Sequence, residues 1–166
     1  MTANVKFAKV RPDAKIPSKR DEDMGFDIYA CFDEDYVVIN PHETKLIPTG
    51  IASACDVDYG FLVFERGSTG SKGIARRCGV IDSGYRNEWF IGLTNTTNKT
   101  LIISKSEEKQ RYDDCLKNHF IYPYSKAIAQ ALIVPVPKVE TEEISYEELR
   151  NIKSERGLGA LGSSGK

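Results

Sequence analysis

Residues 35–65 read DYVVINPHETKLIPTGIASACDVDYGFLVFE, and this stretch decides the fold class. Its apolar runs, DYVVIN, TKLIPTGI and GFLVFE, are short, rich in Val, Ile, Tyr and Phe, and separated by Asn40-Pro41 and Pro48-Thr49-Gly50. Proline fixes φ and glycine accepts conformations that other residues avoid, so these interruptions carry turn chemistry. Apolar runs this brief between turns are the pattern of strands.

The same pattern continues on both sides, in VKFAKV from Val5, EWFIGLTN from Glu88, TLIIS from Thr100 and AQALIVPV from Ala129. The chain is therefore expected to be all-β, a jelly-roll-like barrel or sandwich. One segment reads as a helix. ISYEELRNIKSE, from Ile144 to Glu155, spaces Leu149 and Ile152 three apart and places Ser145 three residues before Glu148, a capping box. EEKQRYDDCLKNHF, residues 107–120, is a second helix candidate.

A chain of 166 residues is long enough for one buried core and short for two. A single β domain over residues 1–155 is expected, followed by an arm over 156–166. A formal charge of -1 gives no electrostatic footprint for nucleic acid or an anionic membrane, so an anionic ligand must be held by local geometry. No apolar run approaches the roughly 18 residues of a membrane span, and MTANVKFAKVRP lacks the apolar centre of a signal peptide, which points to the cytoplasm. Cys31, Cys55, Cys78 and Cys115 form no C-x-x-C pair and are expected to be buried, reduced thiols. His42 and His119 are far apart with no nucleophile beside them, which argues against a histidine triad or a histidine-rich metal site.

Two segments carry candidate chemistry. GVIDSGYRNEWF, Gly79 to Phe90, joins two strand-like runs through Asp82-Ser83-Gly84, which predicts a tight hairpin with Asp82 and Tyr85 at its rim. The final RGLGALGSSGK holds four glycines and two serines in eleven residues, too little apolar surface for a core. It reads either as a mobile tail or as an arm whose backbone N–H groups, Arg156, Ser163 and Ser164 wrap a phosphate chain.

With these residues in view, the chain resembles the trimeric dUTP pyrophosphatases. Gly79-Val80-Ile81-Asp82-x-x-Tyr85-Arg86 is similar to that family's third motif, MGFDIYA from Met24 to its first, and Glu65-Arg66-Gly67-Ser68-Thr69-Gly70 to its second. Ile128-Ala129-Gln130 with LIVPV resembles the fourth, and Arg156-Gly157 through Gly162-Ser163-Ser164-Gly165 the fifth; Pro48-Thr49-Gly50-Ile51 matches a further structural stretch. Five matches in order are far more specific than any one.

The resemblance implies a β-clip subunit in a homotrimer, with active sites shared between subunits, that hydrolyses dUTP to dUMP and pyrophosphate. In that reading Asp82 activates a water for attack at the α-phosphate and meets the sugar 3′-OH, while Gln130 helps fix the water. Tyr85 lies against the deoxyribose and excludes a 2′-OH; the backbone of Gly79, Val80, Ile81 and onward to Tyr85 reads the uracil edge. Arg66, Gly67, Ser68, Thr69 and Arg156 serve the phosphates, and Leu161, Gly162, Ser163 and Ser164 close over the substrate. Mg²⁺ is held mainly by phosphate oxygens and water, since it rarely needs a protein cage. Asp27 orients that metal's waters or braces Arg66; a plain turn aspartate is the third reading.

This chain departs from the family at three points: Gly67 stands where a serine follows the arginine, Leu161 where a phenylalanine covers the base, and Ala131 where leucine is customary. Leucine covers without stacking, so weaker base burial is expected. Residues 98–125 form a longer polar stretch, expected to be a surface insertion, with Tyr112, His119, Tyr122 and Tyr124 as a possible protein-binding surface. Two rival functions remain at this stage. A dCTP deaminase would need an acid/base group after the hairpin's second strand, where this chain has Thr94-Asn95; a dUTP-responsive regulator would use the insertion to bind its partner.

Overall fold

The computed structural model describes residues 3–106, 118–157 and 159. Two compact units divide the chain, Met1–Val136 and Pro137–Lys166.

The first unit is built from short strands, as the punctuated sequence requires. β1 (Val5–Lys9) pairs antiparallel with β5 (Ile51–Cys55). A second sheet orders β11 (His119–Pro123), β10 (Thr100–Ser104) and β3 (Tyr36–Ile39). A third orders β2 (Phe26–Ile28), β12 (Ala129–Pro135), β6 (Tyr59–Phe64) and β8 (Val80–Ile81). The fourth orders β4 (Thr44–Pro48), β9 (Phe90–Asn95) and β7 (Ile74–Arg77). One turn of helix, α1 (Gly67–Gly70), follows β6. None of these sheets closes into a barrel among the described residues, and the all-β, jelly-roll-like clip expected from the sequence is what forms.

Alternation along the strands sends every second apolar side chain inward. In β6, Phe61 and Val63 are buried, and in β10 Leu101 and Ile103 are buried. At the centre Trp89 meets Phe61 edge-on with centroids 5.0 Å apart and Phe7 at 6.0 Å. Edge-to-face packing suits the aromatic quadrupoles, and truncating a ring this enclosed costs about 3–5 kcal/mol. Asn95, fully buried, donates its amide to the carbonyls of Ile39 at 3.0 Å and Lys99 at 2.7 Å, which ties the second and fourth sheets together.

Two expectations change here. Val80-Ile81 and the run from Phe90 do not ladder as a tight hairpin: β8 pairs with β6, whereas β9 pairs with β4 and β7. A wider loop connects them, because only two residues after Gly79 are in register with β6. The expected insertion at 98–125 also begins and ends in sheet, since β10 and β11 pair in parallel, and the connection proper is 105–118. Tyr122, read as a partner-facing residue, is 1% exposed, with its hydroxyl donating to the Ala127 carbonyl at 2.6 Å. Of the cysteines expected to be buried, Cys31 is, Cys55 is half-buried, and Cys78 is exposed just before the Gly79 approach to β6; Tyr112, Cys115 and nearly all of the second helix candidate lie outside the described residues.

The second unit contains α2 (Tyr146–Asn151), which starts at the predicted capping box. Ser145 Oγ accepts from the Glu148 N–H at 3.2 Å, and Glu148 Oε2 accepts from the Ser145 N–H at 2.8 Å. The Ser145 hydroxyl, donating to Glu148 Oε2 at 2.7 Å, and then the Ser145 N–H hold the Glu148 carboxyl below its ordinary pKa.

Candidate functional site

The end of β6 sets up the first cluster. After Phe64 the chain bends at Arg66, whose backbone is extended (φ -85°, ψ 154°), into α1. Thr69 locks the bend, its hydroxyl accepting from the Arg66 N–H and donating to the Arg66 carbonyl, both at 3.0 Å. The Arg66 guanidinium then reaches across to β2, with Nε 2.9 Å from Asp27 Oδ1 and Nη2 donating to Asp27 Oδ2 at 3.4 Å. Its Nη1 donates to Ser68 Oγ at 3.3 Å and to the Ala127 carbonyl at 3.4 Å. Of the three roles open to Asp27, bracing Arg66 is the one these contacts display.

Gln130 faces Asp27 across the β12–β2 ladder, and its Nε2 donates to the Glu65 carbonyl at 2.8 Å. That bond fixes the amide's orientation. Gly25 keeps the space beside it, since a Cβ there would lie 3.1 Å from Gln130 Oε1. Glu65 in turn accepts from the Arg76 N–H at 3.1 Å. Burial opposes its ionisation, but the N–H donors of Glu65 itself and of Arg76, with the Arg76 and Arg77 charges, outweigh burial and lower its pKa.

Asp27, Arg66, Gly67, Ser68 and Gln130 share one open cavity of about 790 Å³. Its other wall is the loop 18–25, which sequence reasoning passed over although its charges in SKRDED signal a polar lining. There Arg20 grips Asp23 at 2.7 and 2.9 Å, and this hydrogen-bonded pair lowers the Asp23 pKa to about 2. Gly67 is unconstrained, because a Cβ on it would meet nothing within 4 Å; packing does not dictate the departure from serine.

The second cluster grows from Gly79. Its carbonyl accepts from the Val63 N–H at 2.7 Å, and a Cβ would fall 2.9 Å from the Val63 carbonyl oxygen and into the Arg76 guanidinium, so the close approach admits glycine alone. Beyond it Ile81 turns into the core and Val80 outward, 69% exposed. Asp82 opens a β-turn, its carbonyl accepting from the Tyr85 N–H at 3.1 Å. The Tyr85 hydroxyl donates to the Glu88 carbonyl at 3.1 Å. Arg86 Nη1 donates to the Ser83 and Ser53 carbonyls and pins the turn from behind. Val80, Ile81, Asp82 and Tyr85, with Leu46, Cys78 and Phe90, line a separate cavity of about 330 Å³.

One chain thus gathers the predicted residues into two groups and does not join them: Asp27, Arg66, Gly67, Ser68 and Gln130 lie at one cavity, Val80, Ile81, Asp82 and Tyr85 at the other. Thr69, predicted to touch a ligand, is buried with its hydroxyl engaged by Arg66. Arg156, in the second unit, donates from Nε to the Gly159 carbonyl at 3.0 Å. Leu161, Gly162, Ser163 and Ser164 lie outside the described residues. Glu88, whose carboxylate accepts from the Gly50 N–H and from Arg11 Nε, carried no signal in the sequence.

An all-β clip here places arginine, hydroxyl and amide groups around one cavity and a carboxylate beside an aromatic ring at another, the kinds of group that phosphate oxygens and an organic ring require. The sequence model of the family described as dUTPase matches residues 13–108. The deoxyuridine 5′-triphosphate nucleotidohydrolase of Nautilia profundicola is 34% identical, covering 98% of this chain and 99% of the relative. That of Paraburkholderia xenovorans is 32% identical over 86% of this chain and 82% of its own length. Among solved structures, a Staphylococcus bacteriophage 80alpha dUTPase superposes with a TM-score of 0.74 at 22% identity, over 98% and 99% of the two chains. The chain belongs to the dUTPase family.

Proposed function

We propose that the protein hydrolyses dUTP to dUMP and pyrophosphate, with Asp82 activating the attacking water, at a site completed only between copies of the chain. The observation that carries this reading is the division of labour between the two cavities. One has the cation and donors that a triphosphate needs, and the other has the carboxylate and ring that a nucleoside needs. Attack at the α-phosphorus requires both at once, and a homotrimer that sets one copy's Asp82 turn against another copy's Arg66 cavity supplies them. The bacterial relatives, at 34% and 32% identity, carry the name of this activity.

In the proposed reaction the Asp82 carboxylate takes a proton as a water oxygen bonds to the α-phosphorus. The bond from that phosphorus to the α–β bridging oxygen breaks in line, and pyrophosphate leaves. Gln130, its NH₂ engaged by the Glu65 carbonyl, presents its oxygen to the water. Arg66 and Ser68 meet the phosphate oxygens; Arg66 arrives pre-oriented by Asp27, so little side-chain freedom is lost on binding. The uracil edge is read by the backbone from Gly79 to Tyr85, and the thymine methyl is refused for lack of space. The Tyr85 ring lies along the deoxyribose and leaves no room for a 2′-OH.

Among the described residues no cluster of three or more His, Cys, Asp or Glu side chains offers a cage for a metal. The hard oxygen donors at the first cavity, Asp27 above all, fit Mg²⁺ bound chiefly through phosphate oxygens and water. Bound so, Mg²⁺ neutralises charge along the triphosphate. A staphylococcal phage phi11 dUTPase is described as coordinating a structural Mg(II) ion.

A deaminase would need an acid/base group on β9, but Thr94 is engaged with Thr44 and Arg77, and Asn95 is buried among carbonyls. The deciding experiment incubates the pure protein with Mg²⁺ and each dNTP, assaying pyrophosphate and ammonia. Pyrophosphate from dUTP alone is expected. Ammonia from dCTP, or no turnover of dUTP, would reject the proposal.

A further inference from the structure

We infer that Glu88 is a positioning residue for sugar selection, holding Tyr85 in place by clamping the end of the Asp82 loop onto Gly50; this rests on the role of Tyr85 given above. The Tyr85 side chain is tied to the loop's far end by its hydroxyl, which donates to the Glu88 carbonyl at 3.1 Å. The ring is 37% exposed, and this bond ties its outer end to Glu88.

Glu88 is held from behind. Its side chain, 14% exposed, turns away from the nucleoside cavity, and Oε1 accepts the Gly50 N–H at 2.8 Å and Arg11 Nε at 3.3 Å. The next residue repeats the grip. Trp89 N–H donates to the Ile51 carbonyl at 2.8 Å, and the Trp89 carbonyl accepts the Thr49 N–H at 3.2 Å and the Thr49 hydroxyl at 2.7 Å. Pro48-Thr49-Gly50-Ile51 thereby gains a purpose that the chemistry left unassigned, as the anchor for the far end of the nucleoside loop.

The anchor is rigid. Gly50 has φ +67°, and a Cβ there would sit 2.7 Å from Ala14 Cβ and 2.9 Å from Cys31 Sγ. Its carbonyl accepts the Val10 N–H at 2.7 Å. A backbone held on both its N–H and its carbonyl, in a conformation and a space that suit glycine, gives the carboxylate a fixed partner. Half-buried, with a charged donor and a backbone donor on one oxygen, Glu88 makes bonds stronger than neutral ones. Without them Trp89 still holds the peptide that follows Glu88, and the loosening falls on the Glu88 Cα and the loop before it; Tyr85 moves with that loop, and the space denied to a 2′-OH opens.

The test compares Glu88→Ala, Glu88→Gln and Glu88→Asp in the full-length protein. Dissociation constants are measured for the α,β-imido analogues of dUTP and UTP, with kcat and KM for both nucleotides and Tm alongside. In Glu88→Ala the preference for the deoxy analogue should fall roughly 10- to 100-fold, the scale of effect that ångström-level misplacement produces. The loss for dUTP itself should appear in KM more than in kcat. Glu88→Gln still accepts the Gly50 N–H and should stay within about threefold of the unaltered protein. Glu88→Asp keeps the charge and the fold but falls short of Gly50, and should give an intermediate loss, which keeps the test decisive if the alanine variant does not fold.

A purely structural role would lower Tm and the active fraction for both nucleotides and leave their ratio unchanged. An unchanged ratio in Glu88→Ala and Glu88→Asp would overturn the inference, as would an unaltered protein that binds both analogues equally. If the unaltered protein binds the deoxy analogue selectively but hydrolyses nothing, the catalytic proposal fails while this one is still decided by the binding ratio.

Discussion

Replacing Arg66 by lysine separates its structural role from its chemical one. The Arg66 and Asp27 side chains are 30% and 33% exposed, so solvent screens the pair and its share of stability is about 1 kcal/mol. For a chain of this size that corresponds to a Tm shift of roughly 2–4 °C. The chemical loss should be larger. Lysine is a single flexible ammonium, whereas the guanidinium reaches Asp27, Ser68 and Ala127 through different nitrogens and arrives at the phosphates already oriented. Each charge-assisted bond lost to a phosphate oxygen costs about 1.5–3 kcal/mol, which is roughly 10- to 100-fold in kcat/KM. Steady-state hydrolysis of dUTP beside a thermal melt reads both quantities. A kcat/KM within about threefold of the unaltered protein, or a Tm loss beyond about 10 °C, would refute the reasoning, because Arg66 would then be dispensable or mainly a structural strut.

Two further outcomes follow from the site. Asp82→Asn should abolish pyrophosphate release while sparing binding of a non-hydrolysable dUTP analogue, and in the unaltered protein ¹⁸O from water should enter dUMP; label in pyrophosphate would place the attack elsewhere. Glu65 governs the acid side. Its folded pKa is depressed below the ordinary 4.5, so its stabilisation is complete above that value and is lost as pH falls through the lower folded value. The Tm gap between the unaltered protein and Glu65→Gln should therefore be flat near neutrality and narrow below about pH 4.5 in melts across pH; a gap that widens in acid would contradict the sign.

The strands were legible where apolar residues cluster between turn residues, and each of the seven runs read from the sequence contains one. Four strands escaped. β2 has three residues, β5 reads IASAC with small residues in place of an apolar run, β7 reads IARR with Ile74 its one buried member, and β11 sits at the end of a polar stretch that hides the alternation burying Tyr122. The missing hairpin has a similar cause, since Val80-Ile81 prefers β6, and nothing local to GVIDSGYRNEWF announces that distant partner. Short-range signals fared better: the Ser145–Glu148 box marks the start of α2 because both partners lie within one turn.

The candidate site divides along the same line. Asp82, Tyr85, Gln130 and Arg66 stood out by their motif positions, but what holds them is long-range. Arg66 is braced from 39 residues away, and Glu88 is held by Gly50 at a separation of 38 and Arg11 at 77. A glutamate before a tryptophan carries no mark of such partners in sequence.

That the active site is split between copies can be tested by mixing. Asp82→Asn and Arg66→Ala, each inactive alone, are combined with differently tagged chains so that exchange of subunits is verified. If each site takes its turn from one copy and its phosphate cavity from another, about a quarter of the sites in a random equal mixture have both halves intact, and dUTP hydrolysis returns in that proportion. A fully exchanged mixture that stays inactive would show that one chain supplies both halves, and the account would fail.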